Sequence, residues 1–172
     1  MRKGTVIIDN VVGGRILNSW REKVAPNYEP FKLVDSTLKR PGEGWFDKDS
    51  EHTHKNMCEL LLRVVNLYYP LDNMIGYDYW THFNSRPNEH EDKDEVAWLK
   101  YGISRYPICS VVFYLLVENV TGGELVLNDD TIITPKNNRL VIFRPGLTHS
   151  VNQYDGNRCS VNINPWDTPL YS

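Results

Sequence analysis

Residues 139–164 read RLVIFRPGLTHSVNQYDGNRCSVNIN, and their rhythm decides the fold. Three short runs, RLVIF (139–143), THSVN (148–152) and RCSVNIN (158–164), are separated by the turn-forming pairs Pro145-Gly146 and Asp155-Gly156. Runs this short, rich in β-branched residues and bounded by Gly and Pro, read as strands.

Upstream the same texture continues through IGYDYWTHFN (75–84), ICSVVFYLLV (108–117), GELVL (123–127) and TIIT (131–134), with Asn128-Asp129-Asp130 as a further turn. Closely spaced short strands predict an antiparallel sandwich or barrel. The first 74 residues differ. TVIID (5–9) reads as a strand. Val12, Ile16, Leu17, Trp20 and Val24 then recur at helical spacing until Pro26. Phe31 to Thr37 reads as another strand, and 38–50 as a Pro- and Gly-containing loop. A second helix is expected from Asp49 or Ser50, with Met57, Leu60, Leu61, Val64, Val65 and Tyr68 on its apolar face, ending before Pro70. Helices first and strands afterwards predict an α+β, mainly β chain whose N-terminal helices pack on one sheet. At 172 residues one domain (1–172) is expected, with 1–74 as helical support and 75–166 as the β core.

The formal net charge of −3 gives no basic footprint, so no nucleic-acid partner is expected. No apolar stretch reaches the roughly 18 residues of a membrane span. MRKGTVIIDN has only a four-residue apolar run, too short for the core of a signal peptide. Cys58, Cys109 and Cys159 are far apart and odd in number, which suits reduced core thiols and a cytoplasmic protein.

The acidic run NEHEDKDE (88–95) would ordinarily be a solvated face. Side chains at i and i+2 of an extended segment point the same way, however, so His90 and Asp92 can converge on one ion. His149, opening a strand after a Pro-Gly turn, is the candidate third ligand. Two histidines and one carboxylate make the facial triad that suits non-haem Fe(II) and leaves positions open. A structural zinc site would more often use cysteines or close all four positions. Nine residues beyond His149 stands Arg158-Cys159-Ser160. Arg158 and Ser160 share one face, and an arginine in an apolar strand is costly unless paired. The strand offers no acidic partner, which leaves room for an anionic ligand; the alternative is an edge strand facing water.

Together these features resemble the 2-oxoglutarate/Fe(II)-dependent dioxygenases, and most of all the prolyl-4-hydroxylase-like branch with its small bacterial and phage members. Supporting similarities run in order: VIIDNVV (6–12), the Phe113-Tyr114-Leu115 strand, Thr121-Gly122-Gly123-Glu124-Leu125, and Pro135 through Arg139–Phe143 into His149-Ser150-Val151. The resemblance implies a double-stranded β-helix (jelly-roll) with Fe(II) held by His90, Asp92 and His149. It implies that Arg158 binds the C5 carboxylate of 2-oxoglutarate, helped by Ser160 and by Tyr114. Tyr77 and Tyr79 are rivals of Tyr114, with core packing as their other reading. Asn162 would meet an iron-bound water or the C1 carboxylate. The expected reaction consumes O₂, converts 2-oxoglutarate to succinate and CO₂, and hydroxylates a C–H of a protein, peptide or small-molecule substrate, a peptidyl proline being one candidate. Ascorbate is an expected stimulant, and the state a monomer or homodimer. Asp92 speaks against halogenation, since halogenating relatives carry a small residue there.

Two other classes compete: a catalytically silent jelly-roll binding module, and a cupin-type metalloenzyme without 2-oxoglutarate. The intact triad and arginine argue against the first, and the second leaves Arg158 unexplained. Residues 93–107 read either as a substrate lid or as a surface loop packed by Trp98 and Tyr101. The pair His52 and His54 is expected to splay apart, and His82 to be packed or exposed. Trp45-Phe46 lines a substrate groove or plugs the core edge. Cys159 faces away from Arg158. Glu89 and Glu91 should point outward, with Asp94 on the ligand side only if the strand reaches it.

Overall fold

A computed structural model describes residues 4–24 and 44–170. Strand β1 (Val6–Asp9) leads into helix α1 (Gly14–Val24), and β2 (Gly44–Asp47) precedes α2 (Lys55–Asn66). Then come β3 (Gly76–Phe83), a short helix α3 (Glu95–Tyr101), β4 (Ser110–Gly122), β5 (Leu125–Leu127), β6 (Ile132–Ile133), β7 (Arg139–Phe143), β8 (His149–Val151) and β9 (Tyr154–Trp166). The expected stop at Pro26, the strand Phe31–Thr37 and positions 38–43 of the loop lie outside the described residues.

The strands form a six-stranded sheet in the order β1-β7-β4-β9-β3-β2 and a three-stranded sheet in the order β6-β5-β8. Every pairing is antiparallel. Strand periodicity divides the large sheet into two faces. Val111, Phe113, Leu115, Val161 and Ile163 join Leu17, Trp20, Met57, Leu61 and Val65 in a core beneath the helices. Trp20 meets Phe113 edge-on, with ring centroids 5.9 Å apart. Val112, Tyr114, Val141 and Phe143 point the other way and form a second core with Leu125, Leu127, Ile133, Leu147 and Val151, which belong to the small sheet and its loops. Fully burying a side chain such as Phe113 or Leu115 contributes about 1.5–3 kcal/mol, so β4, buried on both faces from Ser110 to Leu116, anchors both layers.

Several boundaries differ from the sequence expectation. Helix α2 starts at Lys55, because Thr53 and His54 form a turn first and no side chain caps it. Tyr68 falls beyond that helix and is exposed, and Ile16 on α1 is exposed as well. Asp155-Gly156 is not a turn between strands. β9 runs straight through it for 13 residues, against an equally long β4 whose register shifts between Glu118 and Thr121. Gly156 has φ +95°, and a Cβ there would sit 2.3 Å from the Asn119 carbonyl oxygen, so only glycine fits this bulge. Residues 95–101 form a helix where a loop was expected, with Asp94 accepting from the Ala97 N–H as its cap. Trp98 and Tyr101 do not pack it down; both are exposed, and Ala97 is its buried residue.

Candidate metal and cofactor site

The two sheets leave a cleft at one end, lined among others by Trp80, His82, His90, Asp92, His149 and Arg158. Pro145-Gly146 turns the chain so that β8 opens at His149. One edge of β8 pairs with β5. Along its other edge, His90 and His149 exchange both backbone bonds, at 3.0 and 2.8 Å. The residues around His90 do not form the continuous strand expected; this bridge is a single pair. It still sets the two imidazoles side by side, with centroids 4.3 Å apart. The chain then brings the buried carboxyl of Asp92 round to them, with Oδ1 lying 3.8 Å from each Nε2.

Hydrogen bonding determines which nitrogens face that carboxylate. His90 Nδ1 lies 2.7 Å from the Asn88 carbonyl and His149 Nδ1 lies 3.0 Å from that of Leu147. A carbonyl only accepts, so each Nδ1 must carry the proton, and each Nε2 keeps a lone pair in the neutral ring. Burial holds the His149 pKa below its usual value and outweighs the opposing pull of Asp92. Two imidazole lone pairs and a carboxylate oxygen therefore converge with no proton donor among them. Among the described residues this is the only group of three or more His, Cys, Asp or Glu with ligand atoms within 4.8 Å of one another. Phe143 packs edge-on against His149 at 5.0 Å.

Deeper in the cleft, β9 alternates. Cys159, Val161 and Ile163 enter the core beneath the helices, while Arg158, Ser160 and Asn162 line the cleft. Arg158 is 2% exposed, with its guanidinium carbon 5.0 Å from the Tyr114 ring centroid and 5.8 Å from that of Tyr154. Among the described residues no carboxylate pairs with it. Arg158 Nε, the Tyr114 hydroxyl and Asn162 Nδ2 are all buried without a hydrogen-bond partner. Ser160 lies directly opposite Tyr114 on one side and His82 on the other. A buried guanidinium with an unsatisfied Nε, beside two further unsatisfied donors, suits a carboxylate-bearing ligand.

The remaining candidates separate from this cluster. Tyr77 and Tyr79 belong to the core beneath the helices and bond His52 and His54, each at 2.7 Å. His52 and His54 thus engage different tyrosines. His82 has both ring nitrogens engaged, by Trp80 Nε1 at 3.1 Å and Ser85 Oγ at 3.0 Å. Asp94 stays with α3 and Arg105. Glu89 is exposed, whereas Glu91 accepts from the hydroxyls of Tyr106 and Thr148. Sequence reading missed Tyr154 and Asp78. Tyr154 falls on the face of Arg158 only if β9 is continued back through Gly156. Asp78 lies two residues before Trp80 on the same face, and IGYDYW carries that alternation.

Residues 77–166, just over half of the chain, match the 2OG-Fe(II) oxygenase superfamily. The chain belongs to that superfamily, and is accordingly a 2-oxoglutarate-dependent dioxygenase. Among solved structures, a prolyl-4-hydroxylase from Pseudomonas putida has TM-score 0.62 and 17% identity, over 97% of this chain and 94% of that one. A prolyl hydroxylase from Trichoplax adhaerens, in complex with a hypoxia inducible factor oxygen degradation domain peptide fragment, gives 0.63 and 16%, over 96% and 84%. The viral collagen prolyl hydroxylase of Paramecium Bursaria Chlorella virus-1, in its 2OG complex, gives 0.58 and 13%, over 95% and 96%. These likenesses establish the double-stranded β-helix fold expected from the sequence. No curated protein matches the chain by sequence. Among the described residues no helix is long and apolar enough to cross a membrane.

Proposed function

We propose that this chain is a hydroxylase that holds Fe(II) on His90, Asp92 and His149 and 2-oxoglutarate on Arg158, Ser160, Tyr114 and Asn162. Both groups fit the residues present: a 2-His-1-carboxylate set suits Fe(II) and leaves coordination positions open, and a buried guanidinium suits a dicarboxylate. The observation that carries the reading is Arg158, 2% exposed without a carboxylate partner among the described residues, in the same cleft as the three converging acceptors. A cation this deep is costly unless an anion meets it.

When bound, Fe(II) and 2-oxoglutarate supply the oxidation: the oxo acid loses CO₂ to become succinate as O₂ is consumed, and one oxygen atom enters a substrate C–H. The chain's own work is binding and aim. Arg158 donates to the C5 carboxylate, with the Tyr114 and Ser160 hydroxyls as further donors. Asn162, on the same face of β9 with Nδ2 unpartnered, would donate to the C1 end. The carbonyls of Asn88 and Leu147 keep each Nε2 unprotonated and pointed inward. Val112, Leu125 and Val151 give the cleft apolar walls that limit water. Helices α1 and α2 brace the back of the large sheet, so we treat 1–172 as one catalytic unit.

By likeness to the prolyl hydroxylases, a peptidyl proline is the first substrate class to test. Ascorbate should sustain turnover. The buried thiols of Cys58, Cys109 and Cys159 suit a reducing compartment such as the cytoplasm.

The decisive experiment adds Fe(II) and then 2-oxoglutarate without oxygen and follows the visible charge-transfer band of the chelate. A band that requires both additions is expected. Its absence in the wild-type protein would refute the reading.

A further inference from the structure

The face of β3 that lines the cleft extends beyond the residues already used. Tyr77, Tyr79, Thr81 and Phe83 are buried, whereas Asp78, Trp80 and His82 between them keep partial access. Trp80 and His82 line the cleft of the triad. Asp78 is the next residue along that row, close enough to Asp92 and Asp94 for their charges to raise its pKa.

Its surroundings are specific. On one side Asp78 pairs with Asn164 of β9, and on the other with Trp45 of β2. Trp166 Nε1 donates to Asp78 Oδ1 at 2.6 Å. Asn164 is 2% exposed, and its Oδ1 is buried without a partner among the described residues. The Trp45 ring lies over Gly76 so closely that a Cβ there would sit 2.6 Å from it, which keeps the indole on the Asp78 face. A carboxylate and an unsatisfied amide oxygen thus stand together, both acceptors, beside the indoles of Trp45 and Trp80. Paired acceptors next to aromatic rings suit a protonated nitrogen, through charge-assisted hydrogen bonds and cation–π attraction.

We propose that Asp78 and Asn164, walled by Trp45 and Trp80, form the subsite that recognises a cationic nitrogen of the prime substrate. The inference rests on the hydroxylase reading for the word substrate, though not for the binding itself. The shared chemistry is an ammonium or guanidinium, carried either by a basic side chain in a peptide or by a free amino group. Burial pushes the Asp78 carboxyl up to about 7, so an arriving cation also restores the charge that the site otherwise resists. Trp166 fixes the carboxylate through Oδ1. Trp45, Asp78 and Asn164 are specificity-determining residues here, with no part in the oxidation.

The test titrates the Fe(II)- and 2-oxoglutarate-loaded protein anaerobically, by calorimetry, with three short proline peptides. One is blocked at both ends and contains lysine. The second is the same blocked peptide with norleucine in place of lysine. The third is the norleucine peptide with a free N-terminus. At least tenfold tighter binding of a cationic peptide than of the blocked norleucine peptide is expected, and whichever of the two binds tells which source the site takes. Asp78→Asn should remove that preference while leaving the 2-oxoglutarate charge-transfer band intact. Asn164→Ala should reduce it and serves if Asp78→Asn does not fold. Equal binding of all three peptides, binding of none, or a preference surviving in Asp78→Asn would each overturn the proposal. Repeating the titration on metal-free protein separates the two readings, because the cation preference should persist even if 2-oxoglutarate does not bind.

Discussion

His90 and His149 lie 59 positions apart, yet they exchange both backbone hydrogen bonds, N–H to carbonyl, at 3.0 and 2.8 Å. Main-chain pairing, and not side-chain packing, sets the two imidazoles next to each other. Asp92 then completes the set from the same segment as His90.

Removing one ligand should therefore abolish metal binding without unfolding the barrel. His90→Ala and Asp92→Ala alter residues outside every strand ladder and helix. Fe(II) affinity, measured by anaerobic calorimetry, should fall by at least 100-fold while far-ultraviolet circular dichroism stays unchanged. A 2-oxoglutarate charge-transfer band persisting in either variant would show that other residues bind the iron.

Arg158→Ala should separate the cosubstrate from the metal. Loss of one partner of a buried charge pair costs about 2 kcal/mol or more, so 2-oxoglutarate binding should weaken roughly 30-fold or beyond. Fe(II) affinity should change little. Equal losses of both would mean that the arginine is a structural element of β9. Arg158→Lys should rescue only partly, because a point charge cannot replace a planar fork.

Metal affinity should depend on pH in one direction only. Both Nε2 atoms must be unprotonated to bind, and His149 is held below its ordinary value of 6.5. Affinity should therefore be level above 6.5 and fall only at pH values below that, where protons begin to compete for His149 Nε2. Titrating Fe(II) binding between pH 5 and 8 checks this, and an affinity that rises on acidification would contradict the tautomers assigned from the carbonyl contacts. The same sign applies to folding. A histidine with a depressed pKa contributes its stability above 6.5, and that contribution is lost as pH falls through the folded value.

Gly156→Ala should loosen the cosubstrate pocket from outside it. The new methyl group would meet the Asn119 carbonyl at 2.3 Å in a backbone held at φ +95°. A cost of about 1–3 kcal/mol is expected, seen as a lower thermal midpoint. Because Arg158 and Tyr154 flank the bulge, 2-oxoglutarate binding should weaken along with it. Unchanged stability would mean that the β4–β9 ladder can shift its register there.

The residues that proved legible were those whose signal is local. Alternation in RCSVNIN and SVVFYLL already divides each strand between its two faces, so the placement of Arg158, Ser160 and Asn162 opposite Val161 followed from period alone. The turn pair Pro145-Gly146 likewise announced where β8 would start. What escaped depended on partners distant in sequence. Asp155-Gly156 has the composition of a turn, and only the long β4 lying beside it turns the pair into a bulge. An extended segment is one way for His90 and Asp92 to converge, and where it would end is not legible in HEDKDE; one bridge to His149 and a change of direction achieve the same convergence. EVAWLKY became a helix through the Asp94 cap, a signal present in the sequence but masked by the surrounding charge. Tyr77 and Tyr79, rivals of Tyr114 for which the sequence favours core packing, do pack in the core beneath the helices.

The carbonyls behind the two histidines have a consequence for how this site can change over time. Asn88 and Leu147 contribute main-chain oxygen, which every amino acid possesses. Mutation at those two positions therefore leaves the tautomers alone so long as the loops keep their path. The aim of the metal ligands is encoded in the course of the backbone, and the neighbouring side chains are left free to drift toward new substrates.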